Sequence, residues 1–161
     1  MNRKIEDVIN EVLKGDAHKN ALEFVEHLQA NCVQFPESDN YFWDVDYEGK
    51  RLFTINIEIN GNDEIASFDT FVYFLPSAWE NDCASVSGHT KEILWDNVRP
   101  CEIIGCGKCS PGINKTLFGK QFNNLCKNFL GIYSPDAKTV TFMKEIFDGI
   151  KSDVLEGNKS T

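Results

Sequence analysis

Between residues 41 and 59 the side chains alternate apolar and polar with a period of two, which suits a strand buried on one face and no helix. Tyr41, Trp43, Val45 and Tyr47 point one way, Asp44 and Asp46 the other. Glu48-Gly49-Lys50 reverses the chain into Phe53, Ile55, Ile57 and Ile59, which alternate with Thr54, Asn56 and Glu58. Asn60-Gly61-Asn62-Asp63 is a hairpin signal, and a third strand runs from 65 to 75 until Pro76 stops it. Residues 40–76 therefore predict an antiparallel meander with one face covered and one wet. Asp44 and Asp46 have the spacing of an acid/base pair, but solvation on the wet face is the ordinary role of such acids and is the one expected.

The covering elements flank the meander. Ile5, Val8, Ile9, Val12 and Leu13 form a helical stripe that Gly15 closes. A second helix starts from Asn20 as N-cap with Glu23 in a capping box, and buries Ala21, Phe24, Val25 and Leu28. Residues 1–31 thus read as a helical hairpin, followed by a loop at Phe35-Pro36 and the next four residues. Ser134-Pro135-Asp136 opens a C-terminal helix over 134–152, with Ser134 at the N-cap and Val140, Met143, Ile146, Phe147 and Ile150 inward. The polar tail beyond it is expected to fray. Residues 77–89 lack a period and read as loop or ragged edge. Residues 91–98 would pass as a strand but read better as a short helix capped by Thr90 and ended at Arg99 by Pro100. Further on, Thr116 to Phe118 reads as a short extended piece turning at Gly119, Phe122 and Leu125 as one helical turn, and 128–133 as a strand. The expected fold is one α+β domain over 1–161. It is an antiparallel β-meander with helices packed on one face, and a cysteine-rich segment (90–133) looping over the sheet edge. With 161 residues and twelve Phe, a core of this size needs no staples.

Charge and hydropathy exclude some functions. The net charge of −9 argues against nucleic-acid binding, which depends on cations that neutralise phosphates. No apolar run approaches the roughly 20 residues of a membrane span. The amphipathic, acidic N-terminus lacks the features of a signal peptide, so a cytoplasmic protein without a membrane partner is expected. In a reducing compartment six cysteines point first to metal and second to redox or catalytic use.

Four of the six cysteines, Cys101, Cys106, Cys109 and Cys126, fall in residues 99–127. Thiolates of this number suit tetrahedral Zn²⁺. The two-residue gap between Cys106 and Cys109 lets both sulfurs reach one ion at roughly 2.3 Å. The same stretch carries Arg99, Lys108, Lys115, Lys120 and Lys127 against Glu102 alone, a local net of +4 that leaves −13 elsewhere. Such cations favour thiolates and could meet an anionic ligand, making Lys108, Lys115, Lys120 and Trp95 candidate ligand-binding residues. Cys106-Gly107-Lys108-Cys109 also has the thioredoxin-like spacing, but Ser110-Pro111-Gly112 breaks the helix that chemistry requires. Of three histidines, His18 and His27 read as solvated. His89 remains as a base or replacement ligand. Cys32 and Cys83 read as small buried hydrophobes. Trp43, Trp79 and Trp95 could line a ligand pocket, although aromatics at strand and helix spacing are more often core. The run from Gly112 to Gly119 lacks the ending of a phosphate loop.

Trp-Asp-Asn at 95–97, Cys-Gly-x-Cys followed by Ser-Pro-Gly, Phe-Gly-Lys-x-Phe-x-Asn-x-Cys at 118–126 and Ser-Pro-Asp at 134–136 together resemble a family of small uncharacterised bacterial proteins. The resemblance covers residues 95–150. It implies that Cys106, Cys109, Lys120 and Cys126 belong together, and it implies no activity. The leading expectation is a small binding domain with a structural, cysteine-held zinc and an anionic small-molecule or protein partner. A thiol- or metal-dependent enzyme using the same cysteines is the alternative, and a pure interaction module is a third.

Overall fold

The computed structural model describes residues 3–39, 41–59, 66–81, 84, 86–101 and 112–157. Its strands are β1 (Glu37–Asp39), β2 (Phe42–Tyr47), β3 (Lys50–Ile59), β4 (Ala66–Val72), β5 (Val98–Pro100), β6 (Ile113–Leu117) and β7 (Lys120–Tyr133). They form one antiparallel sheet in the order β1-β2-β3-β4-β7-β5, with β6 on β7. The helices are α1 (Ile5–Val12), α2 (Gly15–Ala30), α3 (Ser77–Asn81), α4 (Gly88–Asp96) and α5 (Ala137–Gly157). The fold is the expected α+β meander with helices on one face.

The meander's period sets its register. Trp43 lies opposite Ile55, Val45 opposite Phe53, and Phe53 in turn opposite Val72, so one face is apolar across three strands. Val72 pairs with Leu130 and Thr70 with Ile132, carrying that face into β7. The helices seal it with rings: Phe24 of α2 meets Phe53 and Phe68 at 6.0 and 6.4 Å, and Phe147 of α5 meets Tyr47 and Phe53 at 6.0 and 6.4 Å. Each such buried side chain contributes about 1.5–3 kcal/mol. Gln29 bonded to Glu6, and His18 to Asn10 at 2.8 Å, hold α1 and α2 as the expected hairpin.

Several elements depart from expectation where tertiary bonds outweigh local signals. Gly15, at φ +58°, turns the chain straight into α2. Asn20 is therefore no cap; it lies buried within the helix and donates to Pro135 O at 2.9 Å. At the other helix Asp136 is the cap, accepting from Thr139 N and Oγ1 at 2.8 and 2.7 Å, while Ser134 stands at φ +44°. The helix continues through Gly157, where a frayed tail was expected. Residues 37–39 add an edge strand, and Ser77–Asn81 is helical, tied by Ser77 N and Oγ to Asp153 at 2.6 Å each. Ser87, not Thr90, caps α4, which stops at Asp96; Val98–Pro100 is extended against β7. Phe122 and Leu125 belong to the 14-residue strand β7 and not to a helical turn.

Candidate functional site

The strand β7 is twice as long as its neighbours need, and its two halves have different partners. Residues 130–133 pair with β4, residues 120–125 with β6, and β5 joins the opposite edge at Leu130 and Leu125. Both β5 and β6 shift register against it. Two side-chain bonds manage the irregularity: Asn124, at φ +56°, accepts from Gly112 N at 3.2 Å and donates to Cys101 O at 3.1 Å. The Cys101 amide donates to Asn124 O at 2.6 Å. A Cβ added at Gly112 would stand 2.7 Å from Cys101 Cβ and from Leu125 O, so no side chain fits there.

Residues 101 and 112, which bound the segment holding Cys106, Lys108 and Cys109, therefore meet at Asn124. Those three residues lie outside the described ones. Cys101 is buried at this junction and Cys126 is half-buried one residue beyond Leu125, on the opposite strand face by alternation. The return of β7 to this point is made by the β6–β7 turn at Phe118 and Gly119, φ +50° and +80°. Among the described residues no three His, Cys, Asp or Glu form a metal-binding group.

The other predicted residues divide. Lys120 and Trp95 come together: the ammonium lies 5.2 Å from the Trp95 ring and 5.1 Å from the Phe122 ring. The Trp95 indole donates to Leu117 O at 3.0 Å, fastening α4 to the β6–β7 hairpin. Lys115 is half-buried on β6. His89 stands elsewhere, in a shallow cleft of about 150 Å³ between α4 and α5 with Ile93, Lys138, Phe142 and Glu145. His27 is not merely solvated, since it bonds Asp148 at 3.0 Å and meets the Phe147 ring at 5.7 Å. Cys32 is exposed at φ +60°, not a buried hydrophobe; Cys83 lies outside the described residues.

The sheet face turned from the helices holds charges that periodicity assigned to solvent. Asp44 is only 5% exposed; it bonds Arg51 at 2.5 Å and accepts from Thr54 Oγ1 at 3.2 Å. Asp69, 3% exposed, accepts from Ser134 N at 3.2 Å and Ser67 Oγ at 3.3 Å. Burial pushes its carboxyl above the ordinary carboxylate range despite those bonds. Next to it Phe71 meets Tyr133 edge-on at 5.9 Å, and the Arg99 guanidinium lies 4.9 Å over Phe71. Neither Asp69 nor Arg99 had stood out as a site residue in the sequence. The signal was the alternation itself, which puts 69 and 71 on one outer face.

No family model, curated protein or solved structure matches the chain, so the resemblance over residues 95–150 rests on its motifs.

Proposed function

We propose that the protein is a small binding domain in which Cys101, Cys106, Cys109 and Cys126 hold a structural Zn²⁺, and in which the basic residues of the same stretch meet an anionic ligand or partner. The supporting observation is the junction at Asn124: the chain leaves at Cys101 and returns at Gly112 beside it, with Cys126 two residues further along β7. A loop closed at its base can deliver a Cys-x-x-Cys pair to an ion near that base at little further cost in chain entropy. The surplus of cations over Glu102 in 99–127 would offset the negative charge of four thiolates.

Metal analysis of protein purified without added zinc tests the reading. One zinc per chain is expected, falling to well under half in Cys126→Ser, with Cys32→Ser as the unaffected control. A metal content near zero in folded parent protein would contradict it. Charge reversal at Lys108 and Lys120 tests the anionic partner separately, since it should weaken binding at low salt and leave the zinc in place.

A further inference from the structure

Arg99 lies on the outer face of the sheet, where Gly131 has no side chain to oppose it. A Cβ at Gly131 would collide with Arg99 Cδ, and the arginine stem fills that space on its way to Phe71. The neighbouring acids are engaged already: Asp44 and Asp46 face Arg51, and Asp69 takes its two hydrogen bonds from Ser67 and Ser134. Among the described residues the Arg99 guanidinium has no carboxylate partner. It is half-buried and its position is set by a ring below it, so its donors are oriented before any ligand arrives.

We propose that Arg99, Phe71 and Tyr133 form a binding site for a small planar carboxylate. One guanidinium offers two parallel N–H groups to one carboxylate. Its single charge, with Asp69 opposite Tyr133 and Glu58 on the adjoining strand, suits a monoanion better than a dianionic phosphate. Tyr133 is 53% exposed and stands at 81° to Phe71, so its ring makes one wall of a corner against which a flat body can lie. The site lies on β4, β5 and β7 and goes beyond the zinc reading, on which it does not rest.

Titration of the parent protein with benzoate, benzamide and inorganic phosphate, followed at the Gly131 and Tyr133 amides by NMR, tests it. Benzoate should saturate these shifts, with benzamide and phosphate each about tenfold weaker or more. Arg99→Gln should weaken benzoate about tenfold and Arg99→Lys less. Gly131→Ala, which displaces the arginine without removing it, and Tyr133→Leu should each weaken it too. Equal binding of benzoate and benzamide, equal binding of phosphate, absence of saturation, or an unchanged benzoate curve in folded Arg99→Gln would overturn the proposal. Zinc content measured on the same samples separates this outcome from failure of the metal reading.

Discussion

The two ends of the sheet are built on different rules. Across β2, β3 and β4 the register runs with one irregularity, between Val45 and Asp46, and apolar partners face one another under the helices. Across β5, β6 and β7 the register slips on both edges, and side-chain amides and close backbone approach hold the strands. A hydrophobic period specifies register cheaply but places only apolar groups. Bringing Cys101 and Gly112 together at Asn124 takes a bulge, a glycine where a Cβ would collide and an asparagine in the left-handed region.

The largest effect that would test this contrast is Phe53→Ala. Loss of a fully buried ring that touches both Phe24 and Phe147 should cost about 3–5 kcal/mol in denaturant unfolding without a specific effect on metal content. Gly112→Ala is the complementary change. Its methyl would press on Leu125 O and Cys101 Cβ, costing about 1–3 kcal/mol and lowering zinc retention; loss of stability with zinc intact would blur the distinction between the two ends. Thr70→Val sharpens the meander's side. The Thr70 hydroxyl is buried with no hydrogen-bond partner among the described residues, so its replacement by a methyl should raise stability by about 1 kcal/mol.

Smaller, pH-dependent effects lie where β7 hands over to α5. Asp136→Ala should cost about 1 kcal/mol at neutral pH through loss of the cap. The Thr139 hydroxyl and amide hold the Asp136 carboxyl below its ordinary value. That stability is therefore present above the unfolded carboxyl's pKa and disappears as pH falls through the lowered folded one, so parent and variant should converge in acid. Asp69 has the opposite sign. Its folded pKa is raised, so the folded state holds the proton more tightly and stability falls as pH rises from the unfolded pKa through the folded one. Asp69→Asn should flatten that part of the pH-stability curve.

How much was legible follows the same division. The alternation through Trp43, Val45, Phe53, Ile55 and Ile57 was readable because burial on one face leaves a period of two, and Val140 to Ile150 because a helix leaves 3.6. Asn20 and Ser134 misled because the Asn20 side chain donates to Pro135 O and the Ser134 amide to the Asp69 carboxylate, bonds across the fold that no local pattern encodes. Phe122 and Leu125, three apart, imitated a helix because the bulge at Asn124 shifts a strand's alternation by one. The pairing of Lys120 with Trp95 came from residues distant in sequence and was legible only as two members of one candidate set.

The most direct test of the account is thiol titration of native protein before and after a zinc chelator. Cys101, Cys106, Cys109 and Cys126 should resist alkylation until the metal is removed and then react together, while exposed Cys32 reacts from the start. If Cys126 is alkylated equally fast with and without chelator, four sulfurs do not share one ion and the central claim fails.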